Sequence, residues 1–162
     1  MFAVGSLSIG AHKPMIGAWI AKRRAPAGYE AMNRHDLEAF LSNWVEEATF
    51  VYPGEVAASG TYSGKAAIRA WFQRFFEQFP IIRFTVKHVA VADLFDMVGN
   101  NVIATHWEVD VTNRDGFEGH NSGVSVVSLR RGKVVHVHDF IFDTGEVFQA
   151  AWGERPSSDA RE

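Results

Sequence analysis

The hydrophobic repeat of this chain changes period at Pro80. Before it, Ile68, Trp71, Phe72, Phe75, Phe76 and Phe79 recur at the three- and four-residue spacing of one helical face, which predicts a helix over Lys65 to Phe79. After it, Ile82, Phe84 and Val86 alternate with Arg83, Thr85 and Lys87, the two-residue period of a half-buried strand. Helices gathered ahead of strands, instead of alternating with them, predict an α+β domain.

The second half supplies the strands. Gly99-Asn100-Asn101, Arg114-Asp115-Gly116 and Arg131-Gly132 read as turns between strands Val102 to Val111, Phe117 to Leu129 and Val134 to Phe142. A short helix, Glu146 to Trp152, closes the run. In the first half, Pro14 can open a helix, and Pro26 with Gly28 should break or kink it. Asp36 reads as the N-cap of a helix that buries Leu37, Phe40, Leu41 and Trp44. Ala48 to Tyr52 is a strand stopped by Pro53-Gly54. A strongly twisted meander of this kind curls around the helices packed on it and leaves a hollow between the two layers. The expected organisation is a flexible arm over 1–13, one domain over 14–153 and a polar disordered tail over 154–162.

Composition narrows the function. Net charge is −3 and no basic field covers the chain, so nucleic acid is not an expected partner. The short cluster Lys22-Arg23-Arg24 reads as a solvated helix end. With no cysteine there are no disulfides, thiolate metal sites or cysteine nucleophiles, a usage compatible with the cytoplasm, where we expect the protein to act. No stretch approaches the ~20 apolar residues of a membrane span, so no membrane partner is expected. Thirteen Phe and five Trp exceed what a minimal core needs and fit an aromatic-lined cavity or a subunit interface. No dinucleotide fingerprint, phosphate-cradling loop or G-x-S-x-G is present, so no cofactor is expected.

The turns set a parity. With Arg131-Gly132 as a two-residue turn, Asp139 falls opposite Val124 and Ile141 opposite Ser122. With Arg114-Asp115-Gly116 as a three-residue loop and Gly116 left-handed, Ser122 falls opposite Glu108 and Val124 opposite His106. One face then carries His106, Glu108, Asp110, His120, Ser122, Val124, Val137 and Asp139. The other carries Trp107, Val109, Val127, Leu129, His136, His138, Phe140 and Phe142, apolar enough to want cover and hence to suggest a homodimer. A two-residue first turn would instead bring Trp107 and Val109 into the hollow. His136 and His138, two apart on a strand, could both reach one metal, but they lie on the face opposite Asp139, so surface or interface histidines are expected and no metal.

From Tyr29 to Trp152 the chain resembles the nuclear transport factor 2-like superfamily, in its SnoaL-like (polyketide cyclase and ketosteroid isomerase-like) branch. The resemblance rests on NRHDLEAFLSNWVEEATFVYPG, SGTYSGKAAIRAWFQRFFEQFP and RRGKVVHVHDFIFDTGEVFQAAWG, in that order. It implies a cone-shaped, curved antiparallel sheet wrapped around three N-terminal helices, a cystatin-like arrangement. It also implies a pocket for a small, mostly apolar polyketide-, terpenoid- or steroid-like molecule. Aligned with the limonene-type epoxide hydrolases, His106, Glu108 and Asp139 take the places of an arginine and its two carboxylates, while the water-holding Tyr and Asn fall near Phe50 and Tyr52 and are not kept. The base of the steroid isomerases has Tyr52-Pro53 in its place. The resemblance therefore points to Asp139 as the principal acid/base with Glu108 and His106 assisting. Tyr52, Trp71, Phe75, Phe84, His120, Ser122 and Val124 are the expected substrate contacts. The reaction would be a cyclisation, isomerisation, dehydration or epoxide opening, or the module would bind without catalysis.

Overall fold

The computed structural model describes residues 16–153. The expected arm over 1–13, Pro14 and the tail over 154–162 lie outside the described residues. In chain order the elements are α1 (Ile16–Asn33), α2 (Leu37–Leu41), β1 (Trp44–Tyr52), β2 (Gly60–Ser63), α3 (Lys65–Gln78), β3 (Ile81–Val91), β4 (Asn101–Thr112), β5 (Glu118–Arg130), β6 (Lys133–Ile141) and α4 (Glu146–Ala151). The six strands form one sheet in the order β2-β1-β6-β5-β4-β3. All neighbours run antiparallel except β1 and β6, which run parallel.

The periodicities explain most of these elements. α3 buries Ile68, Trp71, Phe72 and Phe75 on the face predicted from their spacing. Its aromatics mesh with β1, where the Phe50 ring lies 4.8 Å from Trp71 and 5.2 Å from Phe72, within the range of favourable ring pairs. α1 corrects one expectation, because it runs unbroken through Pro26. A proline inside a helix removes one hydrogen bond and costs about 3 kcal/mol when nothing opposes it. Here the downstream turns are anchored. Ala31 and Met32 are buried, and the Asn33 side-chain amide pairs with the Phe84 backbone as a strand would, donating to its carbonyl at 3.0 Å and accepting from its N–H at 2.6 Å. α2 is shorter than expected. Asp36 caps it by accepting from the Ala39 N–H at 3.0 Å, but the helix ends at Leu41 and Trp44 opens β1 instead of closing a helical face.

Both predicted hairpin turns form. Asn113 and Phe117 bracket the three-residue loop with Gly116 at φ 85°, and Ser122 lies opposite Glu108 and Val124 opposite His106. Arg131 and Gly132 both adopt positive φ, 50° and 73°, between the paired Arg130 and Lys133. Four residues later the second register departs from expectation. Leu129 pairs with Val134, but Ser128 pairs with His136, so Val135 is an extra residue in a β-bulge. Asp139 consequently lies opposite Ser125 and Ile141 opposite Gly123. A slip of one residue turns every later side chain of a strand to the other face relative to its neighbour. Asp139 and Val137 therefore share the inner, helix-facing side with Ile103, Thr105, Trp107, Val109, Ser125 and Val127, while His106, Glu108, Ser122 and Val124 stand on the outer side.

Gly123 completes the inner face. It pairs with Trp107, whose indole packs closely against it; a Cβ on Gly123 would come within 2.8 Å of that ring and 2.5 Å of the Phe140 carbonyl oxygen. Overpacking of this kind typically costs about 1–3 kcal/mol. Gly123→Ala is expected to lower unfolding free energy by that amount in urea titrations and to change the tryptophan emission of the native state, whereas Gly116→Ala should leave the emission unchanged.

Candidate functional site

Sheet and helices enclose a cavity of about 860 Å³. Its wall is aromatic: Tyr29 from α1, Phe50 and Tyr52 from β1, Trp71, Phe72 and Phe75 from α3, Phe84 from β3 and Trp152 after α4. Its floor is the inner face of β4, β5 and β6, where Asp139 contributes a carboxyl.

A directed chain of hydrogen bonds holds that carboxyl. An indole N–H can only donate, and Trp107 Nε1 donates to Ser125 Oγ at 3.0 Å. Ser125 thereby accepts from Trp107 and turns its own proton to Asp139 Oδ1, at 2.5 Å. The Tyr29 side chain comes in from the helix side, near the hydroxyls of Ser125 and Thr105. Oδ1 is thus occupied as an acceptor. Oδ2 makes no hydrogen bond to the described residues, yet no buried polar side-chain atom among them lacks a partner, so Oδ2 is the oxygen open to the cavity. When Asp139 is neutral its proton belongs on Oδ2, facing whatever the cavity holds.

Burial pushes the Asp139 carboxyl up to about 7, and the Ser125 hydrogen bond opposes that rise only in part. Burial also raises both phenols far above the ordinary tyrosine value. At Tyr29 the charge of Asp139 adds to the rise and the Ser125 and Thr105 hydroxyls oppose it; at Tyr52 the Trp152 hydrogen bond opposes it and the charge of Asp139 adds to it. Both therefore stay protonated through the neutral range. Tyr52 accepts from Trp152 Nε1 at 3.2 Å and keeps its own proton available to donate.

The expected site residues divide into two groups. Asp139, Tyr52, Trp71, Phe75 and Phe84 line the cavity together, and His120 borders it, with its ring exposed and Nδ1 2.7 Å from Asp110 Oδ1. Glu108, His106, Ser122 and Val124 are not in the cavity. Glu108 pairs with Lys87 on the outer face at 3.0 Å, and the His106 ring stands 5.8 Å from Phe142 and 5.7 Å from His88. The Val135 bulge is the physical reason for that correction. His136 is also outside, with Nδ1 2.5 Å from the Thr49 hydroxyl. Among the described residues no group of three or more His, Asp or Glu side chains is placed to hold a metal ion. Sequence reasoning missed Tyr29, Thr105 and Ser125 as functional groups. The one available signal was Gly123, since a glycine inside a long strand marks a close approach, here of Trp107.

The curved sheet, the helices packed on it and the cavity between them make this an NTF2-like α+β fold. Within that class the chain belongs to the SnoaL-like domain family, whose profile matches residues 27–137. Solved structures show the same fold. Bal32a from a soil-derived mobile gene cassette is 20% identical with a TM-score of 0.73, over 84% of this chain and 98% of that one. An NTF2-like protein of unknown function from Burkholderia pseudomallei is 19% identical with a TM-score of 0.68, over 80% and 95%. TerC, co-crystallized with polyporic acid, is 19% identical with a TM-score of 0.64, over 87% and 99%. No curated protein sequence matches the chain. No helix among the described residues is long and apolar enough to cross a membrane.

Asp139 ties stability to pH. Its folded-state value lies above the unfolded one, so between about pH 4 and 7 the native state binds the extra proton and unfolding free energy falls as pH rises, by up to about 1.4 kcal/mol per pH unit. Asp139→Asn should flatten that slope, so that the variant gains on the native chain from pH 4 to 7 and keeps a constant margin above it. Denaturant titrations across this range check the sign; a margin that shrinks with pH would place the carboxyl in a polar environment.

Proposed function

We propose that the protein is a cofactor-independent enzyme that moves protons on a small, mostly apolar molecule bearing an oxygen function. The observation that carries this reading is a carboxyl poised near neutrality with one oxygen, Oδ2, open to an aromatic cavity. A general acid/base works best when its pKa lies near the working pH. As a carboxylate, Asp139 takes a proton from a carbon beside a carbonyl. The electron pair moves to the carbonyl oxygen, where the Tyr52 phenol donates a hydrogen bond to the developing charge. The neutral acid then returns the proton from Oδ2. Return to another carbon gives isomerisation, and return to a departing hydroxyl gives dehydration. Attack of the enolate carbon on a second carbonyl forms a C–C bond as that C=O π bond breaks, and the resulting alkoxide takes the proton from Oδ2, which gives cyclisation. With an epoxide, neutral Asp139 gives its proton to the ring oxygen as a water attacks carbon and the C–O bond breaks. Trp71, Phe75 and Phe84 enclose the apolar body of the substrate. The co-crystallization of TerC with polyporic acid supports a small organic ligand for this fold.

The test uses deuterium exchange. A panel of cyclic and aromatic ketones is incubated with the protein in heavy water, and exchange beside the carbonyl is followed by NMR. The native chain should catalyse exchange whose kcat/KM rises with pH to a plateau above about 7, because the step needs the carboxylate. Asp139→Asn should lose about 100-fold or more of that rate while ligand quenching of tryptophan emission persists. Binding without exchange in the native chain would leave the rival reading, a non-catalytic ligand carrier. The placement of Glu108 outside the cavity, which leaves Asp139 without a second carboxyl beside it on the β4–β6 floor, favours that rival.

We also propose that the protein acts in the cytoplasm as a homodimer joined through the outer sheet face. On that face Phe140 and Phe142 are exposed, and the His138 ring stacks on Phe140 at 4.1 Å. Phe140→Lys should shift the mass measured by light scattering from dimer to monomer.

A further inference from the structure

The loop between β3 and β4 presents an apolar tip. Leu94, Phe95, Met97 and Val98 expose 43%, 57%, 67% and 64% of their surfaces within five consecutive positions. The backbone beneath them is pinned. Asp93 Oδ1 accepts from the Phe95 N–H, and Asp96 Oδ1 accepts from the N–H groups of Val98 and Gly99 at 2.9 and 3.0 Å. Asn101 Nδ2 donates to the Asp93 carbonyl at 2.7 Å. On the other side the loop is fastened to the β5–β6 turn, where the Gly132 N–H donates to the Gly99 carbonyl and the Arg131 N–H donates to Asn100 Oδ1, both at 2.9 Å. Holding four apolar side chains toward water with this many bonds costs free energy that a partner surface would recover.

The surroundings of the tip are basic. Arg131, on the turn that fastens the loop, borders the cavity together with Met97, Val98 and, from α1, Arg24. Arg130 and Lys133 flank the turn, and Lys22 and Arg23 precede Arg24; all are exposed. The carboxylates within the loop, Asp93 and Asp96, are turned back onto backbone N–H groups. On a chain of net charge −3, this end carries the opposite sign.

We infer that this rim docks on an anionic lipid surface, with the loop side chains in the headgroup–acyl boundary and the basic residues on the phosphates. An apolar wedge ringed by Lys and Arg is the pattern of interfacial binding, and neither element alone gives stable attachment. The contact needs no membrane span. It goes beyond the proposed chemistry and adds a route to it, because the cavity mouth would open onto the phase in which an apolar substrate concentrates.

The test is co-sedimentation of the full chain with phosphatidylcholine vesicles, with and without about a third phosphatidylglycerol. Binding is expected on the anionic vesicles, with little on the neutral ones. Phe95→Ser/Met97→Ser and, separately, Arg24→Glu/Arg131→Glu should each weaken it about tenfold or more, with unchanged melting temperatures. No binding to anionic vesicles overturns the inference, as does binding that survives both double variants. If the loop variant instead converts a lipid-free oligomer to monomer and leaves lipid binding intact, the tip is a self-association surface and the inference also fails. None of these outcomes depends on Asp139, so they stand apart from the test of the proposed reaction.

Discussion

A carboxyl enclosed by aromatic side chains is costly unless something accommodates its charge, and the bond from Ser125 to Asp139 Oδ1 does so incompletely. One strong donor is too little to keep the group a simple carboxylate and enough to fix its orientation. The surrounding groups follow from that compromise. Trp107 reaches Ser125 across position 123, which must lack a side chain to admit the indole, and Tyr29 comes in beside the serine from the helix layer. The site is assembled from four elements, and none of its groups is adjacent in sequence to another that it touches.

The cavity depends on a second constraint, the separation of sheet and helices. Phe50, Trp71 and Phe72 pack at one end tightly enough to bond the layers together. Toward the middle the same layers part around Asp139. A hollow is tolerated because bulky rings on α3 and β1 bridge the span without filling it, and their edges leave an apolar wall in which a lone polar group has no solvent to compete with.

Much of the fold was legible in the sequence because it is written in local terms. Helical and strand periods locate α3, β3, β4, β5 and β6, and two turns with glycine at the required left-handed positions fix where the strands reverse. Family resemblance and fold agree for the same reason. Asp139, Tyr52, Trp71, Phe75 and Phe84 are expected from the family resemblance, with helical spacing pairing Trp71 and Phe75, and all five line the cavity. The partners of Asp139 are not expected from either, because the Val135 bulge has no local mark. It sits in Val134-Val135-His136, with no glycine or proline, and either register buries acceptable residues on β6. What sets the register is non-local: β6 pairs with Ser125 and Gly123 of β5 on one side and, through Thr49 and His136, with β1 on the other. The continuity of α1 through Pro26 was hidden likewise, since Asn33 secures it by bonds to Phe84, fifty-one residues away.

The bulge has an evolutionary consequence. Because a strand shows alternate residues to its two sides, the gain or loss of one residue beside the Arg131-Gly132 turn exchanges the entire set of β6 groups offered to the interior while leaving the turns and the scaffold in place. Lineages sharing this architecture therefore have a route from one interior chemistry to another through a single insertion or deletion. Such a change would look minor in an alignment, yet it would rewrite the cavity floor in one step.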